Sequence, residues 1–196
     1  GLQIRSDGYV RVSDILALEF CASRGLTEAD VERLVASNAK KRFGLAVPEG
    51  EQELHIRAHQ GHTLKSVADQ ALLAPIVSAQ ELPILCHGTF EAHWPAIQAE
   101  GLKTMGRNHI HCVEVDLTDD DNREVFQSGF RGECDTVIYI DAAAAMAEGV
   151  EFHRSENGVV LTRGHDDVLP PHLFSRVAWW DRADEEWKYE DYNLTA

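Results

Sequence analysis

With 196 residues, 44% of them hydrophobic, the chain is long enough to bury a substantial core, which excludes disorder along its whole length. A surplus of 33 Asp and Glu over 18 Lys and Arg gives a net charge of −15, and taken alone this speaks against a nucleic-acid partner, because phosphate contacts supply most of the affinity in such complexes. No apolar run is long enough to cross a bilayer and Gly1 to Arg5 lacks the apolar core of a signal peptide, so the expectation is an intracellular protein, cytoplasmic or nuclear, that engages no membrane.

Taken in chain order, the first signals are helical. Ser13 can cap a helix running through Ile15, Leu16 and Leu18. Thr27, with Asp30 three residues on, can open a second helix whose apolar face carries Val31, Leu34 and Val35. Residues 42–47 and 53–57 then alternate as two strands around the turn Pro48-Glu49-Gly50. Helices followed by a hairpin predict a winged-helix-like lobe, placed at residues 1–75. The stretch 66–83 is weakly patterned, and the lobe boundary is expected between Ala68 and Pro83.

Short strands separated by turns come next, predicted at 84–87, 110–115, 136–140, 150–154, 159–162 and 175–180. One helix is predicted to run from His93 to Glu100 and stop at Gly101 in a left-handed cap, and Asp141 can cap an alanine-rich helix ending near Glu148. Asn157-Gly158 is a hairpin signal. The acid-rich tail 181–191 reads as solvated surface. Residues 76–196 are therefore expected to form a mostly β second lobe, and the fold class is α+β.

The cysteines Cys21, Cys86, Cys112 and Cys134 lack the close pairs of zinc sites and are read as buried thiols. His109, His111 and Cys112 form the nearest metal-like set, but strand alternation sends Cys112 to the opposite face, so no metal is expected. The basic residues Lys40, Lys41, Arg42, Arg57, Arg107, Arg131 and Arg154 could converge on one cleft, or could be ordinary solvated charges.

Five segments carry residue types suited to an anionic ligand. In Ile56-Arg57-Ala58-His59-Gln60-Gly61-His62-Thr63, an arginine ends a strand beside a glycine, where it can grip a phosphate bidentately with Gln60 and His62 in reach. His87-Gly88-Thr89 follows an apolar strand, where the glycine admits a ligand to the backbone and the histidine can bond a ribose hydroxyl. Arg107, His109 and His111 mark a third group, and Ser128-Gly129-Phe130-Arg131 suits a second phosphate clamp. The fifth segment is 152–162. Each also has a plain structural reading as a strand end, turn or surface ion pair. No Gly-x-Gly-x-x-Gly and no Gly-Lys-Ser or Gly-Lys-Thr loop is present, and no Gly-x-Ser-x-Gly surrounds Ser155. Trp179, Trp180 and Trp187 can stack on bases or cover the core.

In this order the five segments resemble the RNA 2′-phosphotransferase family, with similarity from about Ile4 to Val177 and with Leu169-Pro170-Pro171 following the last segment. The resemblance implies a winged-helix lobe joined to an ADP-ribosyltransferase-like lobe. It also implies a reaction in which an RNA 2′-phosphate, that of a spliced tRNA, attacks the nicotinamide ribose of NAD. The ribose 2″-hydroxyl then attacks phosphorus, leaving RNA with a 2′-hydroxyl and ADP-ribose 1″,2″-cyclic phosphate. On this resemblance Arg57 and Arg131 match catalytic phosphate-handling arginines whose main demand falls in the second step. His87, Gly88, Thr89, Arg107, His111, Ser128 and Gly129 fall on NAD-binding segments, and Lys41, Arg42, Gln60 and His62 on RNA or phosphate contacts. NAD is consumed as a co-substrate, and a monomer is expected.

Family members also carry an Arg-His dyad just upstream of a Gly-Leu pair like Gly1-Leu2; on the resemblance, either the sequence is a truncated form, the favoured reading, or the protein lacks two catalytic groups of the second step. Two other readings remain: an ADP-ribosyltransferase arrested after the first transfer, and a non-catalytic RNA-binding module.

Overall fold

Helix and strand are both well represented among the described residues, which is compatible with the α+β class expected from the sequence. The computed structural model describes residues 1–60, 73–125, 129–130 and 132–192. The chain divides into two compact units, Gly1–Leu73 and Ala74–Ala196.

In the first unit, β1 (Val10–Arg11) leads directly into α1 (Val12–Leu16), followed by α2 (Glu19–Ala22), α3 (Glu28–Ser37), β2 (Phe43–Ala46) and β3 (His55–Ala58). Val12 is fully buried and starts α1 early, so Arg11 occupies the N-cap without a side-chain bond. Ser13 therefore does not cap; its hydroxyl donates to Glu53 over 2.8 Å. The helix also stops before Leu18. Thr27 behaves as predicted: its Oγ1 accepts the Asp30 N–H while Asp30 Oδ2 accepts the Thr27 N–H at 2.8 Å, closing a capping box. The apolar face of α3 is only partly covered, with Leu34 exposed. The strands form an antiparallel sheet in the order β1-β3-β2, in which Gly44 lies opposite Arg57.

The second unit holds two four-stranded sheets. One has the order β4 (Leu73–Ile76), β9 (Phe152–Ser155), β10 (Val160–Thr162), β7 (Ile110–Cys112). The other runs β13 (Glu186–Asp191), β12 (Phe174–Asp181), β8 (Thr136–Ile140), β5 (Cys86–Thr89). A reciprocal backbone pair between Cys86 and Val113, 2.9 Å each way, ties β5 to the residue after β7 and so joins the sheets. A small ribbon pairs β6 (Leu102–Lys103) with β11 (Val168–Leu169). The larger apolar cluster includes Ile110, Ile138, Phe152, Leu169 and Phe174, and a smaller one gathers Cys86, Val113, Leu117, Cys134, Val137 and Ala178.

Helix α4 (Trp94–Glu100) ends at Gly101, whose φ of +84° comes with an extended ψ of 173° rather than a left-handed helical turn. A Cβ there would lie 2.5 Å from the Leu169 carbonyl oxygen, so only glycine fits. Helix α6 (Ala142–Ala147) is capped by Asp141, which accepts the Ala144 N–H at 2.9 Å. Asn157-Gly158 turns the β9–β10 hairpin. The strand within the acid-rich tail was not predicted: β13 pairs with β12 in a register that sets Trp187 opposite Trp180. Of the cysteines, Cys86, Cys112 and Cys134 are buried, but Cys21 is only half-buried.

Candidate functional site

Within the first unit, strand alternation sends His55, Arg57 and His59 to one face of β3. Tyr9 supports that face. Its ring meets His55 edge-on, with centroids 6.4 Å apart, and lies under Arg57, whose guanidinium carbon is 4.6 Å from the ring centre. The turn holding Tyr9 is closed by Arg5 N–H to the Tyr9 carbonyl at 3.0 Å, and the Arg5 side chain is fixed by Asp7 and by Glu51 at 2.8 Å. Gly44 is needed beside Arg57 because the buried His59 ring occupies its side-chain space, with Cε1 2.7 Å from where a Cβ would stand.

The basic turn is brought to the same strand end. Asn38 accepts the Lys41 N–H through its carbonyl at 2.8 Å and the Arg42 N–H through Oδ1 at 3.0 Å, holding Lys41 at a φ of +43°. The Arg42 carbonyl in turn accepts the His59 N–H at 2.9 Å. Lys41 and Arg42 are exposed, and Gln60 carries a buried Oε1 with no hydrogen-bond partner among the described residues. Arg57, Gln60, Lys41 and Arg42 are thus gathered by one hairpin, while His62 lies outside the described residues. Tyr9 has no counterpart in the sequence reading, since only sheet pairing brings it to Arg57.

In the second unit, β5 and β7 bring two imidazoles together. His87 Nδ1 lies 2.7 Å from the His111 carbonyl oxygen. A carbonyl only accepts, so Nδ1 carries the proton and Nε2 presents a lone pair. Burial pushes the His87 pKa down, with the Arg107 charge adding to it. The same forces, burial first and then Arg107, His87 and His109, lower His111 to about 4. Both rings are therefore neutral near pH 7, beside an exposed Arg107 guanidinium.

The side vacated by Gly88 belongs to the core: a Cβ would sit 2.8 Å from Cys134 Sγ and 3.1 Å from Leu117. Thr89 is buried opposite Thr136. Gly129 has a φ of +88° and packs so closely on Val113 and Val159 that a Cβ would stand 2.8 Å from the Val113 methyl. Ser128 and Arg131 lie outside the described residues.

Arg154 is committed to acids, 2.7 Å from Glu114 and 3.8 Å from Glu81, and so adds little free positive charge. A cleft of about 320 Å³, lined in part by His109, Glu151, His153 and Arg163, takes in His109 but neither His87 nor His111. Trp179 packs on the larger core and Trp187 on the smaller. Among the described residues, no group of three or more His, Cys, Asp or Glu is arranged to hold a metal ion, and no helix is long and apolar enough to cross a membrane.

Residues 1–164 match the family model of the RNA 2′-phosphotransferase, Tpt1 / KptA family. A relative from Schizosaccharomyces pombe is 46% identical over 177 residues, which cover 90% of this chain and 46% of that protein. The tRNA 2′-phosphotransferase 1 of Danio rerio is 42% identical over 179 residues, 90% of this chain and 76% of its own. That of Homo sapiens is 40% identical over 176 residues, 88% and 66% respectively. The chain thus spans about half the length of its fission-yeast relative.

Proposed function

This chain belongs to the RNA 2′-phosphotransferase, Tpt1 / KptA family, and from that membership we propose that it removes an internal 2′-phosphate from RNA, of the tRNA-splicing kind, by transfer to ADP-ribose drawn from NAD. On this reading the first unit is a winged-helix-like lobe that handles RNA phosphate, and the second is an ADP-ribosyltransferase-like lobe that binds NAD. The observation that carries it is the 2.7 Å contact from His87 Nδ1 to the His111 carbonyl. It leaves an Nε2 acceptor on a neutral ring, the group suited to receive a hydrogen bond from a ribose hydroxyl. A protonated imidazole would instead attract the phosphates and offer no acceptor.

In the first step a 2′-phosphate oxygen bonds to C1″ of the nicotinamide ribose, and nicotinamide leaves with the electrons of its glycosidic bond. The nucleophile is already anionic, so the chain need only position it. In the second step the 2″-hydroxyl attacks phosphorus and gives up its proton. The RNA 2′-oxygen departs and takes one up, releasing ADP-ribose 1″,2″-cyclic phosphate. Negative charge accumulates on the phosphoryl oxygens here, and Arg57 and Arg131 stabilise it. Lys41, Arg42, Gln60 and His62 hold RNA phosphate, while Thr89, Arg107, His111, Ser128 and Gly129 complete the NAD-binding set.

The test is incubation of the chain with NAD and a 2′-phosphorylated oligonucleotide, followed by product analysis. The expected products are nicotinamide, the cyclic phosphate and 2′-hydroxyl RNA. A stable ADP-ribosylated RNA would reduce the reading to an arrested transferase. Absence of nicotinamide release would leave an RNA-binding module in its place.

A further inference from the structure

We propose that the cleft beside His109 is a subsite for an unpaired guanine of the RNA substrate, read at its Watson–Crick edge by the Glu151 carboxylate. Strand pairing sets the floor. In the register of β7, β10 and β9, Leu161 lies opposite His111 on one side and His153 on the other. One step along, Ile110, Thr162 and Phe152 are aligned, and the next residues of the three strands are His109, Arg163 and Glu151. Alternation returns these three to the face that carries His111, Leu161 and His153, so the cleft lies one row from His111. Thr162, fully buried, holds the row: its Oγ1 donates to the Glu151 carbonyl over 2.7 Å and accepts the Gly164 N–H at 3.0 Å. The opposite wall is a two-residue turn in which Asp166 and Asp167 have φ of +50° and +68°. His165 and Val168 close it with bonds of 2.7 and 2.9 Å, and the Thr104 N–H reaches the Asp167 carbonyl at 3.1 Å.

Size and lining narrow the ligand. The volume of about 320 Å³ falls in the range of small-ligand sites. Among the described residues, the lining sets the carboxylates of Glu151, Asp166 and Asp167 against one guanidinium, and Arg163 already donates from Nε and Nη2 to Asp167 Oδ1 at 2.9 and 2.7 Å. Such a surplus of negative charge repels phosphate and pyrophosphate. It favours a neutral group that presents hydrogen-bond donors, and the half-buried imidazoles of His109 and His153 offer flat faces on which a base can stack. Guanine alone sets two donors side by side on its Watson–Crick edge, N1–H and the exocyclic amine, to match both oxygens of a carboxylate. On adenine, cytosine and uracil each donor of that edge sits next to an acceptor, which a carboxylate oxygen repels. The adenine of NAD lacks the donor pair, so the base comes from RNA.

This inference rests on the reading above, but its test needs no turnover. Short 2′-phosphorylated oligonucleotides, identical except for the base on one side or the other of the modified nucleotide, are titrated against the chain without NAD. Guanine at one of the two positions should bind about 10-fold more tightly than adenine, the discrimination expected of one bidentate base contact. Inosine, which keeps N1–H and lacks the amine, should fall between them. In Glu151→Gln one acceptor oxygen becomes a donor amide, and the guanine-to-adenine ratio should drop to near one; a general loss of folded protein weakens every oligonucleotide alike and leaves the ratio as it was. Equal affinity for all four bases at both positions in the wild-type chain overturns the inference, and so does a guanine preference that persists in Glu151→Gln. A Glu151→Gln effect seen instead as lost discrimination between NAD and its hypoxanthine analogue gives the cleft to the dinucleotide and overturns it too. Guanine preference in a chain that releases no nicotinamide from NAD supports the subsite and refutes the transferase reading, whereas failure of every oligonucleotide to bind removes both.

Discussion

The Arg57 guanidinium carbon lies 4.6 Å from the centre of the Tyr9 ring, so an aromatic face helps to orient the arginine proposed to handle phosphate. Stacking of this kind contributes roughly 0.5–2 kcal/mol and fixes the plane of the fork without neutralising its charge.

Arg57→Lys keeps the charge but loses the fork and the planar stacking. Release of 2′-phosphate should fall by about 100-fold, comparable to removing a preorganised transition-state donor, while the KM for NAD stays close to wild type. Tyr9→Leu should show a smaller loss in the same direction. Steady-state kinetics on a 2′-phosphorylated oligonucleotide decide both, and near-normal turnover of Arg57→Lys would remove Arg57 from the mechanism.

The neutral imidazoles make stability depend on pH. The folded pKa of His111 lies at about 4, below its usual 6.5, so between those values the unfolded chain binds the proton that the folded chain refuses. Stability is retained above pH 6.5 and lost as the pH falls toward 4, by up to roughly 1.4 kcal/mol per pH unit for this one group. His87 is shifted the same way and adds to the slope. Urea midpoints of wild type and His111→Asn across this window provide the check: the variant should show the shallower decline, and parallel curves would count against the shift.

Gly88→Ala places a methyl 2.8 Å from Cys134 Sγ. The expected cost is about 1–3 kcal/mol from overpacking, and Cys134→Ala in the same chain should recover part of it by clearing the sulfur. Thermal melts of the single and double variants measure this. Equal melting temperatures for Gly88→Ala and wild type would mean that the strand yields without cost.

Thr27→Ala removes the side-chain half of the capping box at α3. The loss should be about 1 kcal/mol, read as a lower denaturation midpoint. Thr27→Ser, which retains the oxygen acceptor, should stay within a few tenths of wild type.

Much of the architecture was legible where the cause lies in a few neighbouring residues. The Thr27–Asp30 box, the Pro48-Glu49-Gly50 turn, the Asp141 cap and the Asn157-Gly158 hairpin all use bonds closed within one turn of chain. Ser13 misled because the burial of Val12 moved the helix start, and burial is not a local quantity. Strand β13 was hidden for a related reason. Its acids read as solvent-facing, and they are, but the backbone between them completes a ladder with β12 that only the folded sheet supplies.

The sequence by itself determined the mixture of helix and strand, the family, and the identity of the candidate groups Arg57, His87 and His111. The tertiary structure alone decided their surroundings: Tyr9 under Arg57 and the His111 carbonyl on His87 Nδ1. Caps and turns are set by torsions and bonds within a short window of chain. Protonation, tautomer and side-chain orientation depend on burial and on partners brought from distant strands, and those exist only after the sheets have paired.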